Sequence, residues 1–501
     1  MYFILGLSFI YSGILLYDYD LSLRIYYFIK LINDFLLLRM YCILFTETPP
    51  KFLIDILYKD VINNGCFTIK FIQWIITRYK MMYSPDKIPN WIKLFNKFYE
   101  DCPQHNYEYT CKILESNFNT TIEYIFDKFD KNAMSSGSIA QVHRCVYKGN
   151  ECVVKVVHPN IKESTYIPLF ILNLIQTISK SWLLKKINLH IVSIDLNYFI
   201  NSLTQQLDLN IEAENMKRMR EQYKDDSKYI VIPKCYYHTD KFIIMSYEEG
   251  EYLDNIQETQ FIKYKIVLCL SLLLRSMAMV YGDIHADLHC ANWKVRKIPN
   301  EQDYQIILYD FGLVIHPDIE MISEFVISWE KSDHTKISNI ISEFIINVKD
   351  KELLKILTKN LQEEILQWTL RPINMNTILN LICNWGREHN IVFNSNFLNF
   401  IIVMSLVEND FKKVGMINGS RVDDHNKIVD CVLKVEYLNY INFCQTKNIF
   451  KPLVKFMENV LKNENIKFDN LFYQLEYKLQ QNGLDIEDND NKKNIIETLD
   501  I

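Results

Sequence analysis

The sequence predicts an α+β chain of two lobes, a small one built on a short-stranded sheet and a larger helical one. Three observations carry that expectation. Four runs rich in β-branched and aromatic residues fall between Ser138 and Tyr247. From Tyr252 onward the apolar spacing is helical, apart from "YQIILYDFG". Glycine and proline are scarce, 12 of each in 501 residues, which disfavours sandwiches and repeated loops.

The chain is 49% hydrophobic and 23% charged, a globular composition long enough for two or three cores. Its net charge of -6 argues against a nucleic-acid partner, since binding a phosphate backbone needs a basic excess. The 12 cysteines are scattered, with no C-x-x-C pair, so reduced and mostly buried thiols are expected.

The elements follow in order. Residues 1–48 form an apolar N-terminal segment expected at a membrane. Residues 1–17 carry no charge, a length at the lower limit for a span. They lack the basic start and the cleavage site of a secretory signal. A helix lying on the membrane or on the body of the protein, and a single span, both remain open. In the second apolar stretch, from Ile25, Lys30 and Asp34 stand four apart and can pair on a helix face. "TETPPKF" then breaks the run, because prolines end a helix.

Residues 49–130 read as a helical extension. Within it Lys70, Gln73 and Thr77 form one polar stripe on an apolar helix, and taken alone that pattern favours a narrow solvated face over one aimed into a cleft. Residues 131–250 form the sheet lobe. "SIAQVHRCVY" and "ECVVKVVHP" flank "KGN", a hairpin signal, and two more strands follow a helical stretch that runs from Thr165 to Tyr223. Residues 251–480 form the helical lobe, and 481–501 an acidic polar tail. Two lobes imply a cleft, the default place for a ligand.

The chemistry gathers at four places. Lys155 stands alone in "VVKVV", and a buried strand lysine is costly unless it meets an anion. In phosphotransferases such a lysine holds nucleotide phosphates and pairs with a helix glutamate. Glu212 is the expected partner, Glu214 the alternative, and a solvated acidic face the plain reading. "SSGSIAQV" has the length of a kinase glycine-rich loop, with Ser135, Gly137 and Ala140 at the glycine positions and Val142 at its end. Ser136 and Ser138 complete it. In "HADLHCAN", Asp287 and Asn292 have the spacing of a kinase catalytic loop, and Asp310 opens "DFG". One carboxylate plus one amide oxygen suits Mg²⁺, which keeps several waters. His285 and His289 stand four apart, as helical zinc ligands can, but no third ligand is evident.

Taken together these motifs resemble the UbiB family of aarF-domain atypical kinases, over roughly Asp55 to Ile327. "SSGSIAQVH" is similar to its Ala-rich loop, "VVKVVHPNI" to its strand-lysine motif and "QLDLNIEAEN" to its ExD segment. "HADLHCAN" resembles its HADxHxxN loop, "DFGLV" its metal motif and "IKFIQW" its KxGQ helix. The resemblance implies a protein kinase-like fold with ATP and Mg²⁺ bound in an inter-lobe cleft. Lys155 and Glu212 would then act with the catalytic Asp287, and Asn292 and Asp310 as metal ligands. It also implies an extension over the site, marked by Lys70, Gln73 and Asp208, that disfavours protein substrates. ATPase or small-molecule kinase activity, membrane association and a link to prenyl-lipid (coenzyme Q-type) metabolism follow from the same resemblance. The chain departs from the pattern at Ile72, where the KxGQ glycine would stand, at Gln206 in place of the first ExD acid, and at Leu288, Cys290 and Ala291. Those departures keep open a catalytically weak, lipid-presenting or scaffold module, and a small-molecule phosphotransferase is a third reading.

Overall fold

The structure, a computed structural model, describes residues 19–45, 49–82, 95, 102–161, 165, 202–258, 260–300, 304–330, 333–369 and 375–413. The expectations for residues 1–17 and for the acidic tail lie outside these residues. The chain divides into two compact units, Met1–Lys217 with Pro233–Tyr247, and Arg218–Ile232 with Glu248–Ile501.

The first unit begins with three helices, α1 (Tyr19–Phe45), α2 (Lys51–Asn63) and α3 (Cys66–Met82). Phe28, Leu31 and Leu38 of α1 pack with Ile54, Leu57 and Val61 of α2 and with Ile69 and Ile76 of α3. A buried carboxylate in this cluster needs a counter-charge. Lys30 supplies it, lying 2.6 Å from Asp60 and 2.9 Å from Asp34. No helix among the described residues is long and apolar enough to cross a membrane.

Helix α4 (Tyr107–Phe118) follows, its start capped by the Asn106 side chain, which accepts the Tyr109 N–H. After the single turn α5 (Ile122–Ile125) come strands β1 (Lys128–Phe129), β2 (Ser135–Ser136), β3 (Ala140–Tyr147) and β4 (Asn150–Val157). Lys148 and Gly149 both take positive φ, 51° and 74°, as the tight turn between β3 and β4 requires. Two further strands, β6 (Cys235–His238) and β7 (Phe242–Ser246), complete an antiparallel sheet in the order β1-β3-β4-β7-β6, with β2 on β3. Leu114, Ile122, Phe126, Val154, Val156 and Ile244 form its core.

Helix α6 (Leu209–Gln222) runs from the first unit into the sequence of the second. The run "KYIVIPKCYY" is not one strand. Pro233 cannot donate to a ladder, and the run splits before β6. Its first part, β5 (Ile230–Val231), pairs in parallel with β10 (Tyr304–Leu308) of the second unit. That unit also holds β8 (Ile284–His285), β9 (Trp293–Lys297) and β11 (Val314–Ile315), in sheets β5-β10-β9 and β11-β8. The expectation that "YQIILYDFG" is the one interruption of a helical lobe is therefore corrected. β8 and β11 are two residues long, too short to show a period of two, and "WKVRK" mixes charge into its strand.

Helix α7 (Gln260–Ser276) widens into a π-turn over Met277–Tyr281 and ends at Gly282, with φ of 68°. It is followed by α8 (Ile319–Glu330), α9 (His334–Glu343), α10 (Lys351–Thr369), α11 (Met375–Glu388) and α12 (Ser395–Lys413). Their core centres on Phe397, whose ring stacks on Phe344 at 4.2 Å and meets Phe325 edge-on at 5.4 Å.

Gly250 is fixed by close approach. A Cβ there would lie 2.8 Å from Ile307 Cδ1 and 3.0 Å from Lys294 Cβ. Gly137, by contrast, would meet only the Ala140 carbonyl at 3.6 Å. In denaturant titrations Gly250→Ala is expected to lose about 1–3 kcal/mol of stability through overpacking, and Gly137→Ala much less. Equal losses would contradict the packing described.

Candidate nucleotide and metal site

Lys155 lies mid-way along β4, opposite Val142 of β3 and Ile243 of β7. Flanked on both sides by ladder strands, its side chain is only 12% exposed. Its ammonium donates to both Glu212 oxygens, at 2.7 and 2.8 Å. Glu212 sits in the first turn of α6, where the helix dipole favours a carboxylate. Asp208 stands just before that helix, and its carboxylate accepts the Asn210 N–H at 3.0 Å. Glu214 instead faces solvent, 59% exposed and paired with Lys217 at 3.0 Å. Stranding either member of a buried pair costs roughly 3–5 kcal/mol, so Lys155 and Glu212 depend on each other.

The loop from Ser135 to Val142 folds back on itself. Ser135 pairs with Val142 and Ser136 with Gln141. Gly137 N–H donates to the Ala140 carbonyl at 2.9 Å. Ser136, Ser138 and Ala140 are buried. In the helical extension Gln73 is buried and Lys70 half-buried. Ile72 packs against the α1–α3 core. The side chain of Thr77 lies outside the described residues. Gln206 is buried, and its amide donates to the Ser202 carbonyl at 3.2 Å.

In the second unit the catalytic-loop motif follows β8. The Tyr309 peptide is held from both sides: its N–H donates to the Asn292 carbonyl at 2.9 Å, and its carbonyl accepts from His285 Nε2 at 2.9 Å. His285 is fully buried, and its Nδ1 receives the Asp287 N–H at 3.4 Å. Both ring nitrogens are thus engaged by backbone, and the segment is strand and turn, not helix, which removes the helical spacing a zinc pair would need. No group of three His, Cys, Asp or Glu among the described residues could hold a metal.

Asn292 and Asp310 carry harder oxygen donors. The Asn292 amide nitrogen donates to the Asp287 carbonyl at 2.8 Å, which turns the amide oxygen the other way. Asp310 follows Tyr309 directly and takes φ of 55°, a left-handed conformation that Asp adopts more readily than most residues. Asp287 is part-exposed, with His289 Nε2 3.7 Å from its carboxylate.

Sequence reasoning did not single out Asp283. Its carboxylate, 8% exposed, accepts from Arg218 at 2.8 Å, from Gln222 at 2.5 Å and from His316 at 2.6 Å. Asp283 precedes β8 and His316 follows β11, so the contact closes the short ladder that joins the catalytic-loop and DFG segments. The signal available was an aspartate next to an apolar strand, which alone says little. Burial works to raise this carboxyl, but the bonds from His316, Arg218 and Gln222 outweigh it and bring the pKa down to about 2.

Because that folded-state value lies below the ordinary 3.8, the stabilisation is present above pH 3.8 and fades as pH falls toward 2. Asp283→Asn is expected to cost about 2 kcal/mol at neutral pH. In denaturant titrations the gap from wild type should narrow as the pH falls from about 4 to about 2. A gap independent of pH would contradict the charged carboxylate.

The comparisons with known proteins agree with these motifs. A family model described as the ABC1 atypical kinase-like domain matches residues 97–341. The chain is 32% identical over 249 residues to the Dictyostelium discoideum protein named probable serine/threonine-protein kinase abkC, covering 48% of this chain and 35% of that one. It is 28% identical over 229 residues to AarF domain-containing kinase 1 of Drosophila melanogaster, covering 44% and 43%. With the ABC1 family protein MCP2 of Saccharomyces cerevisiae it shares 26% over 314 residues, covering 58% and 53%. The match thus spans between a third and about half of the length of these relatives. Residues 97–341 of this chain are thus similar to the ABC1 atypical kinase-like domain, the domain that the aarF-domain relatives are named for.

Proposed function

We propose that the chain is a Mg²⁺-dependent nucleotide-binding atypical kinase or ATPase. The observation that carries this reading is the buried Lys155–Glu212 ion pair. Two charges are kept out of water at a position where apolar residues would pack as well or better, which is expected where the lysine serves an anion.

The residues of each unit have the chemistry that one part of a Mg²⁺–ATP complex needs. Lys155 would engage phosphate oxygens while Glu212 holds its ammonium in place. The turn at Gly137 leaves room for backbone to approach phosphate. Asp310 and Asn292 would hold the metal, one carboxylate and one amide oxygen in keeping with hard-ligand preference. When bound, the ion neutralises charge on the transferred phosphoryl group. Asp287 would orient the attacking hydroxyl or water and take its proton.

The acceptor is proposed to be water or a small molecule associated with prenyl-lipid (coenzyme Q-type) metabolism, and the location a membrane surface. Support for the location comes from α1. Tyr26, Ile29, Leu37, Met40 and Leu44 recur at helical spacing and are each about half exposed or more. A second reading, a nucleotide-responsive module without turnover, is favoured by Gln206, whose buried amide stands in place of an acid.

The test is thermal melting with Mg²⁺–ATP. The wild type should be stabilised only when both are present, and Asp310→Asn should lose that shift. Asp287→Asn should keep the shift and lose hydrolysis, assayed with and without lipid vesicles. No shift in the wild type would overturn the proposal, and a shift without turnover under either condition would favour the module.

A further inference from the structure

A cluster of three histidines lies behind the candidate phosphate loop, and the functional reading above makes no use of it. His105 comes from the segment before α4, His143 from β3, and His158 from the end of β4, three residues beyond Lys155. His105 Nδ1 lies 2.8 Å from His158 Nδ1, and His158 Nε2 lies 3.0 Å from the Gly137 carbonyl oxygen. His105 Nε2 meets the Thr110 hydroxyl at 2.9 Å. His143 Nδ1 lies 3.0 Å from the Asp130 carbonyl, and its Nε2 lies 2.9 Å from the Gln141 amide nitrogen.

The direction of every bond follows from the two carbonyls. A carbonyl accepts only, so His158 must carry its proton on Nε2, and His143 on Nδ1. A neutral His158 then accepts at Nδ1, which places the His105 proton on Nδ1. His105 Nε2 is left to accept from Thr110, and His143 Nε2 from Gln141. Burial keeps the rings neutral. It pushes His105 down to about 3, helped by the charges that His158 and His143 would carry, and it lowers His143 and His158 against weaker opposing backbone bonds.

The same segment is fastened to the loop elsewhere. Cys102 N–H donates to the Ser136 carbonyl at 2.9 Å, Ser136 Oγ to the Pro103 carbonyl at 3.2 Å, and His105 N–H to the Gln141 side-chain oxygen at 2.9 Å. His158 N–H donates to the Ile139 carbonyl at 2.9 Å. The loop is thus braced from one side by residues 102–110 and from the other by the strand that carries Lys155.

We propose that His105 and His158 are positioning residues, forming a one-way hydrogen-bond chain from Thr110 through both imidazoles to the Gly137 carbonyl that sets the loop in register with Lys155. The part of this that concerns catalysis rests on the nucleotide-binding reading. The chain of bonds does not.

The test uses the difference between the two side-chain amides. Asparagine places its N–H₂ where imidazole has Nδ1, and glutamine where it has Nε2. His105→Asn and His158→Gln therefore preserve the required donors, whereas His105→Gln and His158→Asn remove them. The first pair is expected to keep the amides of Gly137 and His158 as protected from hydrogen exchange as in the wild type. The second pair should expose them and raise the KM for Mg²⁺–ATP roughly three- to tenfold, as for one lost hydrogen bond, with kcat changed less. Ring ¹⁵N spectra of the wild type should show His105 protonated on Nδ1 and His158 on Nε2. The opposite tautomers, or equal effects of both amides at each site, would overturn the proposal. A wild type that binds no nucleotide but shows these tautomers and this exchange pattern would overturn the nucleotide reading and leave the loop brace standing.

Discussion

The proposed metal-binding segments depend on one peptide. Tyr309 gives its N–H to the carbonyl of Asn292 and receives a proton donor from His285 at its own carbonyl. Asn292 and Asp310 are 18 positions apart in the sequence, and this peptide makes them neighbours. The backbone at Asp310 then turns left-handed as it leaves the strand. His285 Nδ1 in turn receives the Asp287 N–H, so the same ring connects the proposed proton acceptor to the peptide before the proposed metal ligand.

A parallel logic operates around Lys155. A charge placed in the middle of a sheet must be met by another charge, and Glu212 meets it from the first turn of a helix that Asp208 helps to start. The loop that precedes the lysine strand is not free to drift, since residues 102–105 hold it from one side and His158 from the other. In both units the groups that would handle phosphate and metal are fixed by backbone hydrogen bonds from their neighbours, in keeping with sites that act by position and electrostatics.

Much of this was legible in the chain. Lys155 stood out because a lone cation in a β-branched run has few structural reasons to exist, whereas the choice of Glu212 over Glu214 is settled by the pairing and burial seen in the structure. The hairpin was readable from "KGN", where two successive residues need positive φ. Other features had no local signature. β8 and β11 are too short to show alternation, and β5 lies in a run that reads as continuous with β6 until Pro233 is given its full weight. Asp283 and the three histidines acquire their meaning only from partners distant in sequence: His105 and His158 are 53 positions apart, and Arg218 and Asp283 are 65. Spacing along the chain cannot encode such contacts.

The central claim, that Asn292 and Asp310 hold a divalent ion beside a bound nucleotide, is tested most directly by locating that ion. Manganese can replace magnesium, and with ATP present it should broaden the NMR signals of the Asn292 side-chain amide and the Asp310 backbone before all others. Broadening centred there, and lost in Asp310→Asn, is the predicted result. Broadening centred on another carboxylate cluster, or unchanged by that substitution, would contradict the account.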